Sequence, residues 1–479
     1  MPPAEPVTEA PVSAPAGLDV SAAAGLDVVP AALSGWGGGP RALVTLARPQ
    51  STAILHRCLL GADPFLAGPL AGGAIARGMG RSYGDAAQRS GGLVIDTTAL
   101  RGFELDAAHG TVTAQAGATV GELLTATAPP GWILPTVPGT QHVTLGGAIA
   151  SDVHGKNHAA VGSFGSHVLA LGLLTASGEV LELTPEHDGD LLRATIGGMG
   201  LTGVILWAQI KLRPLTSPSM AVDIDRVASL DQALAALQQP GGPHRVAWLD
   251  LLGHRPVRGV VTRAEHLSDW SLTDAAARVT VGARLTLRPR WPSSLLRTSV
   301  VRAHNELRYH LAPRHATGHV EPFGRHMFPL DVLNAWPRLY GSTGLVQYQL
   351  VLPRGAETAL ELVLGRLRAS TVPCYLAVLK DFGPGNDAPL SFPLQGWTLA
   401  MDLPRTAPGL EPLLRGFDEL VAAHGGRVYL SKDSRLAPDL LAAMYPRLDE
   451  WRAIRDRVDP DRVWRSDLSQ RTGLLGDTR

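Results

Sequence analysis

The sequence predicts an α+β protein of two domains, on the basis of where its glycines lie and how its apolar residues repeat. Glycine makes up 53 of the 479 residues. These glycines cluster between Gly72 and Gly203, where short β-type runs alternate with glycine turns. After about Leu215 the pattern changes to longer helical stretches set between extended runs. Such alternation favours an antiparallel sheet covered by helices, so we expect a strand-rich first domain and a separate second domain.

The domain limits follow from these changes along the chain. Residues 1–31 are acidic, rich in Ala and Pro and repeat AGLDV, which predicts a disordered tail. Residues 32–216 hold the glycine-rich strands, with a helix predicted in VGELLTATAPPGW. Residues 217–426 carry the helical runs SLDQALAALQQ and ETALELVLGRLRAS between the extended runs VQYQLVLP and WTLAMDLP. Residues 427–479 are helical and charged, and we expect them to return to the first domain.

Charge balance and cysteine content argue against several functional classes. Lys and Arg number 43, as do Asp and Glu, which leaves no excess charge to bind a nucleic-acid backbone. Cys58 and Cys374 are the only cysteines, and they support neither a disulfide framework nor a Cys-rich metal site. No export signal and no apolar run long enough to span a bilayer is visible. We therefore expect a protein on the cytoplasmic side of the membrane, with peripheral membrane contact left open.

A glycine-rich loop, ARGMGRSYGD, follows the strand-like run GAI and ends at Asp85. Its glycines surround Arg81 and Ser82, and such a loop can turn successive N–H groups toward a phosphate. The loop does not match the dinucleotide fingerprint of a Rossmann unit, because its third glycine is one residue late. The next strand, GLVIDT, also begins too soon for a crossover helix. On this segment alone, a phosphate-binding loop and a plain hairpin turn both remain open.

Two further glycine-rich segments favour a long bound cofactor. PGTQHVTLGGAIASDVHGKNH runs from Pro138 to His158, and its small residues allow the backbone to lie flat against a ligand. GGMGLTGV, from Gly197 to Val204, is the third segment. Three such segments in one domain suit an extended cofactor better than three accidental turns.

Two histidines, His154 and His158, stand four residues apart, as two metal ligands on one helical face would. The motif HGKNH lacks the glutamate of H-E-x-x-H, contains helix-poor Gly and Asn, and has no evident third ligand nearby. We therefore expect no metal. For His154 itself, a structural role and a catalytic role both remain open at this stage.

The sequence resembles flavoproteins of the vanillyl-alcohol oxidase class, which have a two-loop, PCMH-type FAD-binding domain. Within that class it resembles the decaprenylphosphoryl-β-D-ribose 2-oxidase family. The likeness is carried, from about Gly35 to Leu468, by ARGMGRSYGD, GGLVIDTT, PGTQHVTLGGAIASDVHGKNH, GSFGSHV, GGMGLTGVI, FGPGNDAPLSFP, GWTLAMDLP and MYPRLDEW. FGPGNDAPLSFP and HGKNH point to the narrower family. The resemblance implies a two-domain vanillyl-alcohol-oxidase-type fold, with an FAD-binding domain and a substrate domain.

The resemblance also implies which residues embrace FAD. They lie in the three glycine-rich segments and near the C terminus: Arg77, Gly78, Met79, Gly80, Arg81, Ser82, Tyr83, Gly84, Asp85, Pro138, Gly139, Thr140, Val143, Thr144, Gly146, Gly147, Ala150, Ser151, His154, Gly155, Asn157, Gly200, Gly203, Val204 and Tyr429. Tyr83 falls where some relatives have a histidine bonded covalently to flavin. The resemblance therefore implies non-covalent FAD.

Catalytic and substrate-binding candidates are implied in the same way. His154 and Lys432 are the catalytic candidates, and Lys432 would reach the pyrimidine edge of the flavin. The substrate-binding candidates are Lys156, Gln347, Gln349, Lys380, Thr398 and Ala400. The alternatives are that Lys380 and Lys432 are ordinary surface lysines and that the two glutamines face solvent on an edge strand.

The sequence departs from the family mainly in the predicted substrate domain. Thr398 and Ala400 replace an asparagine and a cysteine of the mycobacterial enzyme, and RHMFPLD replaces a segment with a tyrosine before HPLD. The stretch from about Trp248 to His319 barely matches. The resemblance is therefore stronger for the flavin chemistry than for the substrate.

The activity implied by the resemblance is FAD-dependent oxidation of a secondary sugar hydroxyl to a ketone by hydride transfer to flavin N5. The implied substrate is decaprenylphosphoryl-β-D-ribose, oxidised at C2 in the first half of its epimerisation to the arabinose donor for cell-wall arabinan. A separate NADH-dependent keto-sugar reductase is the implied partner. Two alternatives stay open. One is a soluble sugar, alditol or aldonolactone oxidase of the same fold that uses oxygen, and the other is a non-catalytic flavin-fold scaffold subunit.

Overall fold

The structure, a computed structural model, describes residues 26–59, 64–252, 256–269, 271–287 and 294–476. Its first sheet has four strands, and two helices lie between them: β1 (Leu26–Leu33), β2 (Ala42–Pro49), α1 (Thr52–Leu59), α2 (Pro64–Ala71), β3 (Ala74–Arg77) and β4 (Leu93–Asp96). The strand order is β1, β2, β4, β3. The predicted disorder of residues 1–31 is wrong for its last part, because residues 26–31 pair with β2. Residues 1–25 lie outside the described residues.

The first glycine-rich loop connects β3 to β4. These strands are parallel neighbours, with Ala74 opposite Leu93. A hairpin joins antiparallel strands, so the hairpin alternative is wrong. Residues 78–92 instead cross over without a helix. The loop is therefore free to take a shape suited to a ligand.

A second sheet follows, with five antiparallel strands in the order β5, β6, β10, β8, β9. In chain order its segment contains β5 (Phe103–Asp106), β6 (Thr111–Gln115), α3 (Val120–Thr127), β7 (Trp132–Ile133), α4 (Leu145–Ala150), α5 (His158–Val161), β8 (Val168–Leu174), β9 (Val180–Leu183), α6 (Gly189–Thr195), β10 (Val204–Lys211) and β11 (Arg213–Pro214). The helix predicted in VGELLTATAPPGW is α3. A capping box of Thr119 and Glu122 starts it.

The third and largest sheet has eight antiparallel strands in the order β16, β12, β14, β13, β19, β20, β18, β21. Its segment contains β12 (Ser219–Val227), α7 (Leu230–Gln238), β13 (His244–Asp250), β14 (Arg258–His266), α8 (Ala275–Val279), β15 (Leu285–Thr286), α9 (Thr298–Leu311), β16 (His315–Pro322), α10 (Phe323–Met327), β17 (Leu333–Asn334), β18 (Leu345–Pro353), α11 (Glu357–Ala369), β19 (Leu376–Phe382), β20 (Gly396–Pro404), α12 (Leu410–Ala423) and β21 (Arg427–Val428). Helices α7, α11 and α12 pack on its strands. The predicted α+β class is confirmed.

The C-terminal residues form α13 (Pro438–Met444), α14 (Leu448–Val458) and α15 (Asp467–Arg471). They contact the first part of the chain, since Trp464 bridges to Ala74 of β3 and Trp451 Nε1 donates to the carbonyl of Ala194 at 2.9 Å. The sequence-derived domain limits at 216 and 426 stay predictions.

A buried ion pair connects α14 to the third glycine-rich segment. Arg455 is fully buried and lies 2.5 Å from Asp459. The guanidinium also donates to the carbonyls of Leu201 and Trp464, each at 3.2 Å. Because these bonds reach three parts of the chain, the pair holds the C-terminal helices against the glycine-rich segment. Within the described part of the chain, no helix is long and apolar enough to cross a membrane.

Candidate active site

A cavity of about 1170 Å³ lies between the glycine-rich segments and the eight-stranded sheet. Pockets for a single small molecule typically measure roughly 300–1,000 Å³. All three glycine-rich segments contribute to the lining, as do strands β13, β14, β18, β19 and β20. The cavity is therefore large enough for an extended cofactor with a substrate beside it.

The loop of residues 78–82 forms a phosphate cradle along one wall. Gly80 has φ +61°, and a Cβ added at Gly78 would lie 2.1 Å from Thr144 Oγ1, so both positions require glycine. None of the amides of residues 78–82 is bonded within the described part of the chain. Successive free amides on a glycine turn suit the oxygens of a pyrophosphate. These residues fit the phosphates of FAD.

The C-terminal segment braces the end of this loop. The amide of Tyr83 donates to the carbonyl of Ser431 at 3.0 Å. A Cβ added at Gly84 would lie only 1.7 Å from the carbonyl oxygen of Asp433. This close contact brings Lys432 over the ring of Tyr83, with Nζ 4.0 Å from the ring centre. Lys432 is thus positioned by backbone contacts between segments distant in sequence.

The second glycine-rich segment presents small residues to the cavity. Thr144 caps α4 by accepting the amide of Gly147 at 3.2 Å. A Cβ added at Gly146 would lie 2.9 Å from that of Ala116, so the helix packs closely on β6 and its end. Ala150 and Ser151 continue the same lining. A flat ring can lie against such a surface, as an isoalloxazine requires.

Asp152 fixes the turn that leads into HGKNH. Its φ is +39°, and its buried carboxylate accepts from Ser163 Oγ and Asn386 Nδ2 at 2.9 Å each and from the amide of Gly165 at 2.8 Å. Asn386 belongs to FGPGNDAPLSFP. FGPGNDAPLSFP and GSFGSHV therefore meet at one hydrogen-bonded carboxylate, two residues before HGKNH begins.

His154 lies at the centre of the cavity's polar wall. Its Nε2 is 2.9 Å from Gln349 Nε2, and its Nδ1 is 3.0 Å from Lys380 Nζ. Burial, and then the positive charge of Lys380, hold the pKa of His154 well below its usual range. The imidazole is therefore neutral and lies between an amide and an amine. His158 packs instead on the ring of Phe382, with centres 4.3 Å apart.

Lysine is scarce in this chain and concentrated at the site. Of four lysines in the sequence, Lys156, Lys380 and Lys432 line the cavity, and Lys211 is exposed. Burial lowers the pKa of Lys380 to about 7, and it lowers those of Lys156 and Lys432 to about 8. The surface alternative for Lys380 and Lys432 is wrong. Because the sequence contains only four lysines, their rarity is a signal that could have identified Lys380 and Lys432 as site residues.

Gln347 and Asp402 form a second polar group that the sequence analysis missed in part. Gln347 Nε2 donates to Asp402 Oδ1 at 2.6 Å. Burial raises the pKa of Asp402 to about 6, opposed by its bond to Gln347 and the charge of Lys432. Both glutamines line the cavity, and Gln349 is buried. The solvent-facing alternative for Gln347 and Gln349 is therefore wrong.

Most predicted site residues line the cavity, but a few lie behind its wall. Arg77 donates to the carbonyls of Ser34 and Ala87, Asn157 donates to the carbonyl of Pro135, and Thr398 accepts from Gln349. We expect these to support the wall, together with Gly84 and with Asp85, which pairs with Arg471 at 2.8 Å. The remaining candidates line the cavity directly: Gly78, Met79, Gly80, Arg81, Ser82, Tyr83, Pro138, Gly139, Thr140, Val143, Thr144, Gly146, Gly147, Ala150, Ser151, His154, Gly155, Lys156, Gly200, Gly203, Val204, Gln347, Gln349, Lys380, Ala400, Tyr429 and Lys432.

The cavity also has an outer, basic part that was not predicted from the sequence. Arg284, Arg308 and Arg325 line it, and the Arg308 guanidinium lies 4.4 Å from the ring centre of Trp248. Lys156 adds a further positive charge and donates to the carbonyl of His326. The three arginines lie in or near the stretch with little family resemblance, so no motif pointed to them. A cationic wall of this kind suits an anionic group of a ligand.

Comparisons with known proteins agree with this geometry. The family model described as "FAD binding domain" matches residues 73–184, and that of D-arabinono-1,4-lactone oxidase matches residues 400–472. The first range holds the phosphate cradle and the second glycine-rich segment. The second range begins in β20 and includes the loop of Lys432. FAD is therefore the cofactor.

Several curated proteins are similar to the chain. The decaprenylphosphoryl-β-D-ribose oxidase of Mycolicibacterium smegmatis is 38% identical over 455 residues, covering 92% of this chain and 97% of the relative. An L-gulono-1,4-lactone dehydrogenase of Mycobacterium tuberculosis is 25% identical over 83% of this chain and 89% of its own. Cytokinin dehydrogenase 2 of Arabidopsis thaliana is 29% identical over 34% of this chain and 32% of its own. With its FAD cradle and near full-length similarity, the chain belongs to the decaprenylphosphoryl-β-D-ribose oxidase family of FAD-dependent oxidoreductases.

Proposed function

We propose that the protein oxidises the C2 hydroxyl of decaprenylphosphoryl-β-D-ribose to a ketone, with FAD as the hydride acceptor. One observation carries this proposal: a single cavity joins the phosphate cradle, the polar wall at His154 and the outer basic part. The polar wall offers partners for sugar hydroxyls, and the basic part offers partners for a lipid-linked phosphate. The name of the M. smegmatis relative supports the choice of substrate.

The cofactor is proposed to bind without a covalent bond. Residues 78–82 would hold its pyrophosphate, and the segment from Pro138 to Gly155 would face its ring. Tyr83 offers no imidazole for a bond, and burial raises the pKa of its phenol well above the usual value. Acid precipitation of the purified protein should release all the flavin into the supernatant. Flavin retained in the precipitate would contradict this proposal.

Bound FAD supplies the hydride acceptor for the sugar carbon. The protein must then take the hydroxyl proton away. His154 is neutral and touches Lys380, and the pKa of Lys380 of about 7 allows that amine to gain or lose a proton near neutral pH. We propose that His154 and Lys380 relay the proton, while Lys432 binds the sugar oxygen and stabilises negative charge electrostatically.

The test is the variant Lys432→Ala, with Lys211→Ala as the matched control on the protein surface. Loss of one preorganised charge at the reacting group should lower the rate of flavin reduction by about 100-fold to 1,000-fold while FAD stays bound. The readout is bleaching of the oxidised flavin absorbance after decaprenylphosphoryl ribose is added without oxygen. Normal turnover in Lys432→Ala would remove this lysine from the mechanism.

A soluble aldonolactone oxidase is the second candidate, favoured by the lactone-oxidase family match over residues 400–472. Both candidates can be compared on one protein sample. Anaerobic bleaching by decaprenylphosphoryl ribose, but not by aldonolactones or alditols, supports the lipid-linked substrate. The reverse result supports the soluble-sugar oxidase. A protein that binds no flavin would instead support the scaffold alternative.

We further propose a separate NADH-dependent keto-sugar reductase as partner, because a keto sugar must be reduced again to complete epimerisation. NADH oxidation that requires the reductase, this protein and decaprenylphosphoryl ribose together would support the pairing, in an assay with oxygen or another added electron acceptor to reoxidise the reduced flavin. NADH oxidation unchanged when this protein is omitted would contradict it. We also propose that the enzyme works at a membrane surface on the cytoplasmic side, because its polyprenyl substrate is a lipid and NADH is available on that side.

A further inference from the structure

Exposed large apolar side chains are concentrated in one part of the chain. Eleven are found among the described residues, and six of them lie between Leu285 and Val320. Three of the six, Val300, Leu307 and Leu311, belong to α9, and Leu311 is 74% exposed. Single exposed apolar residues are ordinary, but several on one face of a helix can form a binding surface.

The three α9 residues form one stripe along the helix. Val300, Leu307 and Leu311 are spaced by seven and four residues, which places them on one face of a 3.6-residue helix. Val301 and Asn305 lie on another face and are buried, with Asn305 Nδ2 2.9 Å from Asp250 Oδ1. The stripe therefore faces away from the contacts that hold α9 on the protein. We call Val300, Leu307 and Leu311 the α9 stripe.

The segment that carries the α9 stripe is basic in sequence, although the whole chain has no net charge. Residues 294–320 contain four arginines, four histidines, one glutamate and no aspartate. The glutamate, Glu306, pairs with Arg258 at 2.8 Å. An apolar stripe among basic residues matches an anionic lipid surface in both hydrophobicity and charge.

The same helix reaches the cavity. Arg308 of α9 lines the outer basic part and stacks on Trp248 of β13. Apolar residues, among them Val246, Val260 and Val378, line the wall beside it. A phosphate at headgroup depth would therefore meet Arg308, with apolar surface next to it for a lipid chain.

We propose that α9 docks the protein on an anionic phospholipid bilayer through the α9 stripe, with the outer basic part of the cavity facing the headgroups. This inference rests on the proposed function in one respect, since it names where a lipid-linked substrate enters. It also makes a claim of its own, because binding to vesicles requires no substrate. The lipid chain can stay in the bilayer while the phosphate and the sugar enter the cavity.

The test is flotation of the FAD-loaded full chain with vesicles of phosphatidylcholine plus phosphatidylglycerol, compared with phosphatidylcholine alone. We expect binding to the anionic vesicles that weakens with salt. The double variant Leu307→Glu, Leu311→Glu should weaken it by about tenfold or more, because two apolar contacts are replaced by charges that anionic lipid repels. The single variant Val300→Glu should weaken it less. Leu362→Glu changes an exposed leucine on α11 and serves as the matched control.

Each outcome bears on one claim. Unchanged melting temperatures and flavin content show that the variants fold, and oxidation of detergent-dispersed decaprenylphosphoryl ribose should stay at the level of the unmodified chain. Equal vesicle binding by the unmodified chain and the double variant would overturn the docking proposal, as would no binding by the unmodified chain. If no form of the protein binds vesicles and the double variant also loses binding to the reductase, the α9 stripe would be assigned to a protein partner instead. Failure of the proposed function would be seen separately: the unmodified chain would bind vesicles, but decaprenylphosphoryl ribose would not bleach its flavin.

Discussion

Lys380 is expected to destabilise the flavin-free protein at acidic pH, and replacing it with methionine should remove that effect. The side chain lies in β19 with Nζ 3.0 Å from His154 Nδ1. Burial, and then the charges of Lys432 and Lys156, lower its pKa from 10.5 to about 7. Between these two values, the unfolded chain holds a proton that the folded chain has released. The stability contributed by this group therefore rises with pH from about 7 to 10.5.

The size of the effect follows from the two pKa values. The difference between 10.5 and about 7 corresponds to ~5 kcal/mol of folding free energy when the lysine is forced to stay charged. Lys380 keeps some exposure, and the neighbouring lysines can release protons in its place, so the full value is an upper limit. We expect Lys380→Met to stabilise the flavin-free protein by ~2–4 kcal/mol at pH 6 and by much less at pH 10.

The assay is urea unfolding of the flavin-free protein at both pH values. Lys211→Met is the matched control, because Lys211 is exposed and its Nζ donates to the carbonyl of His109 at 2.8 Å. That control should change stability by less than ~0.5 kcal/mol at either pH. A gain in Lys380→Met that is equal at pH 6 and pH 10, or a loss at pH 6, would refute the reasoning.

Three further variants test contacts that hold the site together. Gly84→Ala should lower FAD affinity about tenfold or more, measured by flavin fluorescence, since its Cβ would lie 1.7 Å from the carbonyl of Asp433. Unchanged affinity would show that the loop moves freely. Gly365 lies in α11, and a methyl group added there would meet nothing within 4 Å. Gly365→Ala should therefore stabilise the protein by ~0.5–1 kcal/mol in thermal unfolding. A loss of stability would contradict the open space around this position. Asp459→Asn leaves Arg455 with only the partly exposed Asp456, 2.8 Å away, as an acidic partner. It should cost ~1–3 kcal/mol in urea unfolding, and an unchanged stability would show that Asp456 alone balances the charge.

Features that depend on nearby residues could be predicted from the sequence. The capping box of Thr119 and Glu122 lies within four residues and starts α3 as expected. The α+β class and the FAD cofactor are confirmed because the glycine-rich segments are themselves local patterns. The catalytic roles of His154 and Lys432 stay predictions, although both residues line the cavity.

Features that depend on packing between distant segments could not be predicted in this way. Glycine spacing does not show that β3 and β4 run parallel, since strand direction is decided by the rest of the sheet. Asp402 was missed because its importance comes from burial beside Gln347 and near Lys432. The outer basic part was missed because its arginines lie in or near a stretch with little family resemblance.

The sequence alone therefore determined the fold class, the FAD cofactor and the family, because these depend on local glycine patterns and on motifs that occur in order along the chain. Only the tertiary structure decided which polar residues form the wall of one cavity and what their pKa values become. Lys156, Lys380 and Lys432 are far apart in sequence, and burial in a shared cavity lowers the pKa of each. Desolvation and charge repulsion depend on distances in space, which spacing along the chain does not specify.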